Sequence, residues 1–275
     1  MKFRRINNQI VRPMQTPDDM DKRPPRGEEL ISAPYANIFC CSKKKTGKTS
    51  VIAKLIMNFV GKDTKVYLFS STAFIDPTYK CLGKWLDAKK IDFYPSTSIR
   101  DNGSDLLEDI LKENEDWVDP EDEVDEDKPE PKMRLLDLSE RTPKRKKKKV
   151  SKYKELRSIF VFDDLSTEIR HSNSLKRLLK LNRHLLCKTI VSSQWVNDLD
   201  PQSISQLDYT LLFKSHSDEK LVELHKKLDL SMPVEEFVQV YKFVTQDKTN
   251  YNFLYITRFD ELRLNFNTLI ILEEQ

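Results

Sequence analysis

Glycine is scarce in this chain, with five residues among 275, so each glycine that falls in a motif carries weight. The four cysteines, Cys40, Cys41, Cys81 and Cys187, show no paired spacing of the metal-binding kind. Three of them lie in or beside apolar runs, which predicts buried free thiols in a reducing compartment. No apolar run approaches the ~20 residues of a membrane span, and the N-terminus lacks the apolar stretch of a secretory signal. We therefore expect a soluble, intracellular protein that does not enter a membrane.

Charge is unevenly distributed, although the net charge is only +3. The chain is almost wholly acidic from Glu113 to about Glu130, and Lys144–Lys149 is wholly basic. Blocks of like charge repel themselves and rarely pack. We place a flexible insertion at about 113–152 and an irregular, proline-bearing arm at 1–30. The rest of 31–275 is predicted to form one domain.

Short apolar runs alternate with segments of helical periodicity. Strands are predicted at Ala36–Cys41, Val66–Phe69, Ile91–Tyr94, Ser158–Asp164, Lys188–Gln194, Tyr209–Phe213 and Tyr251–Ile256. Helices are predicted at Ser50–Val60, Thr78–Lys89, Ser174–Leu181, Ser217–Leu228 and Val234–Val244. This alternation indicates an α/β fold with a central, mainly parallel sheet flanked by helices.

The segment Thr46-Gly47-Lys48-Thr49 follows a predicted strand and opens a predicted helix. In that context the loop and helix N–H groups face phosphates, so the pattern predicts a P-loop that binds ATP. Lys48 would reach the β- and γ-phosphates, and the Thr49 hydroxyl would hold Mg²⁺. The plainer alternative is a basic turn that leads into an ordinary helix. The residues expected around the phosphates are Ser42, Lys43, Lys44, Lys45, Thr46, Gly47, Lys48, Thr49 and Ser50.

This loop departs from the usual pattern at its first position, where Ser42 stands in place of glycine. Serine resists a positive φ more than glycine does. The three bulky lysines that follow are also unusual. We therefore expect nucleotide affinity or turnover to be unusual.

The run Ile159–Asp164 reads as a buried strand that ends in two carboxylates. A P-loop ATPase needs an acidic residue at the end of a neighbouring strand to orient Mg²⁺, and Asp163 fits that role. Asp164 stands where a general base could polarise the attacking water. The alternative is a strand that runs into an acidic turn or helix cap.

Polar residues also flank the next predicted strand. Gln194 follows its carboxyl end, where a glutamine could sense the γ-phosphate or orient water. Arg183 precedes the opposite end, so it faces away from its own nucleotide. It could serve the nucleotide of a neighbouring subunit, or it could be a surface charge near a helix end.

With these motifs in order, the chain resembles the DNA-packaging ATPases of eukaryotic DNA viruses, within the FtsK–HerA class. The poxvirus type and its relatives in virophages and polinton-like elements belong to this group. The resemblance rests on Ser42–Thr49, Phe162–Leu165, Asn182–His184 and Ile190–Gln194. The stretches Phe69–Thr72 and Asp76–Tyr79 also look familial.

The resemblance implies a RecA-like P-loop fold and a ring of subunits, six in number, that translocates double-stranded DNA into a capsid. It implies that Arg183 is a finger supplied in trans and that Gln194 is the sensor. It also implies a capsid or portal-vertex partner, and a location in the nucleus or cytoplasm of an infected cell or with the virion. A helicase or conjugation-type DNA pump is a second hypothesis. A nucleotide-dependent DNA-binding protein that does not hydrolyse ATP is a third.

Basic segments are the candidates for DNA contact, because packaging motors grip the phosphate backbone. They are Arg141, Lys144–Lys149, Lys152–Lys154, and the helix residues Arg177, Lys180 and Arg183. The run Lys144–Lys149 equally resembles a nuclear localisation signal. It could also be a solvated counterweight to the acidic block.

Overall fold

The computed structural model describes residues 21–101, 103–115, 151–154, 156–247 and 251–272. The chain begins with the alternating elements β1 (Ala36–Cys41), α1 (Lys48–Phe59), β2 (Lys65–Ser70), α2 (Pro77–Ala88) and β3 (Phe93–Ser96). A short hairpin of β4 (Arg100–Asp101) and β5 (Ser104–Asp105) then leads into α3 (Leu106–Glu115). The middle part comprises β6 (Ser158–Asp163), α4 (Ser166–Arg170), α5 (Asn173–Leu181), β7 (Cys187–Ser193), α6 (Pro201–Ile204) and β8 (Tyr209–Phe213). The last part comprises α7 (Asp218–Leu228), α8 (Val234–Thr245), β9 (Phe253–Thr257), β10 (Leu262–Leu264) and β11 (Thr268–Leu269).

Nine strands form one sheet in the order β11-β10-β9-β8-β1-β7-β6-β2-β3. The strands from β8 to β3 are all parallel, and β9, β10 and β11 continue the sheet in antiparallel pairs. The predicted mainly parallel sheet is confirmed. Parallel strands end at the same edge, so the loops after β1, β7, β6 and β2 lie side by side.

Both faces of the sheet are covered, as the continuous apolar strands require. On β6, Ile159 and Val161 contribute to one core cluster, and Phe160 and Phe162 contribute to the other. Helices α1 and α2 pack on the first face, and α3, α5, α7 and α8 pack on the second. None of the helices in the described ranges combines the length and apolar character needed to cross a bilayer.

The cysteines are all free within the described chain, as predicted. Cys40, Cys41 and Cys187 are buried in strands, whereas Cys81 is exposed on α2. Burial raises the pKa of Cys187 to about 12, so this thiol stays protonated.

Helix α3 overlaps the start expected for the charged insertion at about 113. Helix α3 continues to Glu115, because Leu107 and Leu111 are both fully buried on its inner face. Residues 116–150, which include the rest of the acidic block and Lys144–Lys149, lie outside the described residues. Residues 1–20 of the arm also lie outside them, and the division into an arm and one domain stays a prediction.

Candidate functional site

The phosphate loop joins β1, a central strand of the sheet, to α1. The N–H of Ser42 donates to the carbonyl of Ser193 at 3.0 Å, which holds the start of the loop against the end of β7. The Thr46 hydroxyl donates to the carbonyl of Lys43 at 2.9 Å and closes the turn. Ser42 and Thr46 are buried, while Lys43–Lys45 are exposed.

Left-handed backbone occurs at two loop positions, Lys45 with φ 63° and Gly47 with φ 87°. Ser42 is not among the described residues with positive φ. The structural objection to serine at the first loop position therefore does not apply, because the turn takes its strained conformations at Lys45 and Gly47. Gly47 is also the N-cap of α1, so the N–H groups of the first helical turn open toward the loop.

Lys48 joins the phosphate loop to the carboxylates at the end of β6. Its Nζ lies 2.8 Å from Oδ1 of Asp163 and 2.8 Å from Oδ1 of Asp164. Burial alone would lower the pKa of Lys48, but the two carboxylates outweigh burial and raise it above its usual value. Lys48 is therefore fully charged at the bottom of the site.

The two aspartates differ in exposure and in backbone conformation. The Asp163 side chain is 4% exposed, and the Asp164 side chain is 35% exposed. Asp164 has a left-handed φ of 54°, which turns the chain sharply after β6. Asp163 therefore lies at the buried end of the strand, and Asp164 lies at the solvent-accessible rim.

Tyr79 of α2 holds the inner carboxylate, a contact that sequence reasoning did not identify. Its hydroxyl donates to Oδ2 of Asp163 at 2.6 Å, and both groups are buried. Burial and the adjacent Asp163 charge raise the pKa of Tyr79 well above its usual value, so the hydroxyl remains a donor. Its signal was the Asp76–Tyr79 stretch, in which Asp76 caps α2 and fixes its start.

The carboxylates are one strand further from the loop than the sequence suggested. β7 lies between β1 and β6, so β6 is not a direct neighbour of the phosphate-loop strand. Adjacent strands are about 4.8 Å apart, so a gap of roughly 10 Å separates β1 from β6. From the start of α1, the side chain of Lys48 reaches both aspartates at the end of β6.

Gln194 follows β7 in that gap and is half-buried. The turn that carries it is fixed on both sides. The Ser193 hydroxyl donates to the carboxylate of Asp198 and accepts from the N–H of Trp195 at 3.3 Å. Gln194 is thereby held at the same edge as the phosphate loop and the two aspartates.

The residues proposed for Mg²⁺ are Thr49, half-buried at the start of α1, and Asp163. Within the described residues, no group of three or more His, Cys, Asp or Glu side chains could hold a metal. This sparse set suits Mg²⁺, which takes one or two carboxylates and completes its shell with phosphates and water. Oδ1 of Asp163 fits as a ligand, because it is a buried carboxylate oxygen at the same sheet edge as the phosphate loop.

Arg183 lies at the opposite edge of the sheet, in the exposed turn between α5 and β7. β7 has seven residues, so this turn is roughly 20 Å from the phosphate edge. Of the other basic candidates, Arg177 pairs with Glu108 at 2.5 Å. Ser50, expected near the phosphates, is exposed in the first turn of α1. Arg141 and Lys144–Lys149 lie outside the described residues.

Comparison with solved structures finds the same fold in viral packaging proteins. The genome packaging NTPase B204 from Sulfolobus turreted icosahedral virus 2, in complex with AMP, matches with a TM-score of 0.52 and 15% identity over 85% of this chain and 98% of that one. Its complex with ATP-gammaS gives a TM-score of 0.50 at 14% identity over 85% of this chain and 97% of that one. B204 from Sulfolobus Turreted Icosahedral Virus, described as a DNA-packaging ATPase, gives 0.50 at 14% identity over 84% and 96%.

No protein-family model matches the chain, and no curated protein sequence matches it. The chain therefore shares the P-loop NTPase fold of viral genome-packaging proteins at low sequence identity.

Proposed function

We propose that this protein is an ATP-driven motor that translocates double-stranded DNA into a viral capsid. The observation that carries the proposal is the position of Lys48 between Asp163 and Asp164, at the same sheet edge as Gln194. The fold supports it, because B204 is a genome packaging NTPase whose structures hold AMP and ATP-gammaS.

In the proposed site, the triphosphate lies over the loop and the first turn of α1. The N–H groups of this turn donate to phosphate oxygens, and the left-handed Gly47 lets the backbone approach them closely. Lys48 is charged and supplies a positive group to the β- and γ-phosphates. It would exchange its contacts with the aspartates for contacts with the phosphates when ATP binds.

Hydrolysis needs a water aligned with the terminal phosphate. Asp164, at the exposed rim, accepts a proton from this water as its oxygen attacks the γ-phosphorus. The bond between that phosphorus and the bridging oxygen breaks, which yields ADP and inorganic phosphate. Gln194 orients the water from the neighbouring strand.

Mg²⁺ would be held by the Thr49 hydroxyl and Asp163, where it would offset the negative charge of the phosphates. Tyr79 keeps Asp163 in place by donating to its second oxygen. The buried aspartate thus serves the metal, and the exposed aspartate serves the water.

The remaining elements of the proposal concern the assembly. Arg183 is too far from its own phosphate edge to act there, so it would complete the site of the next subunit in a hexameric ring. A capsid or portal-vertex protein would anchor the ring, in the nucleus or cytoplasm of an infected cell or in the virion.

The test is steady-state ATP hydrolysis with and without duplex DNA, followed by a translocation assay. We expect duplex DNA to stimulate turnover, and we expect moving protein to displace a third strand from a triplex. Lys48→Ala should abolish both activities. A rate of ATP hydrolysis that duplex DNA does not change would contradict the motor. Unwinding of a forked duplex would identify a helicase.

The alternative is a nucleotide-dependent DNA-binding protein, which would bind ATP and DNA but would not hydrolyse ATP. Its main support was the missing glycine at Ser42, and this support is weak because Ser42 does not adopt a left-handed conformation.

A further inference from the structure

The phosphate loop has two flanks, and the proposed reaction uses only one of them. On one side of β1, strands β7 and β6 carry Gln194, Asp163 and Asp164. The terminal phosphate must face these groups, because they act on the water and the metal. The nucleoside end of ATP is then directed to the other side of β1, toward β8 and β9.

The second flank carries an exposed aromatic ring. β9 is antiparallel to β8, so its start lies at the same edge as the end of β8, and Phe213 pairs with Phe253 there. Tyr251 precedes β9 by two residues, and its side chain is directed at the phosphate loop. A methyl group built on Gly47 would lie 2.9 Å from Cδ1 of Tyr251 and 3.0 Å from its Cγ.

Tyr251 is 63% exposed although it touches a loop whose neighbouring residues are buried. An exposed aromatic face is available for a base to stack on. Lys214, directly after β8, has its Nζ 5.7 Å from the centre of this ring. The flank thus offers an aromatic surface with a positive charge beside it.

Other exposed aromatic side chains do not fit the nucleoside end. Trp195 follows Gln194 on the flank of the terminal phosphate, and the Lys220 ammonium lies 3.2 Å from its ring centre. Phe259 is 85% exposed but follows the far end of β9, away from the phosphate loop. Among the described residues, Tyr251 is an exposed aromatic residue that contacts the loop on the flank left for the nucleoside.

We propose that Tyr251 is the stacking platform for the base of the bound nucleotide, and that it favours purine nucleoside triphosphates. The inference rests on the proposed nucleotide site. Stacking uses the face of the base rather than its edge, so it discriminates poorly between adenine and guanine. Purines present a larger face than pyrimidines, so ATP and GTP should bind more tightly than CTP and UTP.

The test compares ATP with tripolyphosphate, which fills the phosphate loop but has no base. Affinities are measured by calorimetry with Mg²⁺ for wild type, Tyr251→Ser, Tyr251→Phe and the control Phe259→Ser. We expect Tyr251→Ser to weaken ATP binding roughly tenfold or more and to leave tripolyphosphate binding unchanged. Tyr251→Phe keeps the ring and should behave as wild type, as should Phe259→Ser.

The possible failures are distinguishable. If wild type binds neither ATP nor tripolyphosphate, the nucleotide site itself is wrong, and the platform with it. If Tyr251→Ser weakens both ligands equally, the tyrosine shapes the loop and does not hold a base. If wild type binds both ligands equally, or Tyr251→Ser binds ATP as wild type does, only the platform is overturned.

Discussion

At the scale of single residues, the site depends on a buried carboxylate, that of Asp163, which protein groups hold in position. Asp163 is held on one oxygen by Tyr79, and its other oxygen lies beside Lys48. Groups that orient a metal ligand without touching the metal often set the affinity for that metal. Tyr79 is such a positioning residue in our account.

Tyr79→Phe removes only the hydroxyl that donates to Asp163. We expect the Mg²⁺ concentration for half-maximal ATP hydrolysis to rise roughly tenfold, with little change in turnover at saturating Mg²⁺. The measurement is hydrolysis as a function of free Mg²⁺ at saturating ATP. Tyr94→Phe, at an exposed position on β3, is the matched control and should not move the midpoint. A lower turnover with an unchanged Mg²⁺ midpoint would contradict the positioning role.

Gly47 is constrained by its left-handed backbone and by the nearby Tyr251 ring, and a matched substitution can separate the two effects. Gly47 and Gly103 have similar positive φ, 87° and 86°. Of these two positions, a methyl group would meet another side chain at Gly47 and nothing within 4 Å at Gly103. Alanine at either position should cost about 1 kcal/mol in the free energy of unfolding, because of its left-handed backbone. We expect Gly47→Ala alone to lose ATP binding by more than about tenfold, as its loop must shift. Thermal unfolding and nucleotide titration check both effects. Equal loss of binding in the two variants would contradict the special role of Gly47.

At the scale of elements, the second residue of β7 is a lysine buried inside the sheet. Lys188 is 1% exposed, and its Nζ donates to the carbonyl of Ala33 at 2.8 Å. The same Nζ lies 4.0 Å from the ring centre of Phe59 on α1. Burial lowers the pKa of Lys188 to about 7, although the charge of Glu29 opposes this shift.

This lysine makes stability depend on pH in a defined direction. Between about pH 7 and its usual pKa of 10.5, the unfolded chain holds the proton and the folded chain does not. Stability therefore rises with pH across this window. Lys188→Met should reduce the gain in urea midpoint between pH 7 and pH 9.5, whereas Lys65→Met, at an exposed strand position, should not. An unchanged slope in Lys188→Met would show that the buried amine does not titrate in this way.

The elements that were predicted correctly are those whose pattern is local. The apolar run of β6 and the helical spacing of α1 determine these elements without help from the rest of the chain. Helix α3 (Leu106–Glu115) was not predicted, and Glu113 near its end was assigned to the acidic block. Leu107 and Leu111, four residues apart, were the available signal for a helix with a buried face.

The site was predictable where a motif carries it and not where the fold creates it. The loop and the two aspartates could be found because each is a short motif of consecutive residues that follows a predicted strand. Tyr251 could not be found in this way, because its contact with Gly47 depends on the antiparallel placement of β9. The insertion of β7 between β1 and β6 is likewise set by the topology of the sheet, which the sequence does not state.

At the scale of the whole molecule, the proposed role of Arg183 in trans requires an assembly of subunits. Arg183 and the phosphate loop lie at opposite edges of the sheet, so one subunit cannot bring them together. A head-to-tail ring would place the edge with Arg183 against the phosphate edge of the next subunit.

Mixing inactive variants tests this arrangement. Lys48→Ala subunits lack a working nucleotide site but keep Arg183, and Arg183→Ala subunits have the reverse defect. Each variant alone should show little hydrolysis, and the mixture should recover part of it, because some sites receive both groups from different subunits. Mixing with a Lys180→Ala, Lys48→Ala double variant should recover the same activity, which excludes a general effect of lost basic residues. No recovery in the mixture would contradict a finger supplied in trans.

The central claim is that the Lys48, Asp163 and Asp164 cluster hydrolyses ATP, and Asp164→Asn tests it most directly. Asparagine keeps the shape of the side chain but cannot accept the proton of the attacking water. The measurement pairs ATP affinity with single-turnover hydrolysis for wild type and for Asp164→Asn. We predict that the variant retains ATP binding and loses roughly a hundredfold or more in the rate of hydrolysis. Wild-type hydrolysis in Asp164→Asn, at unchanged ATP affinity, would contradict it.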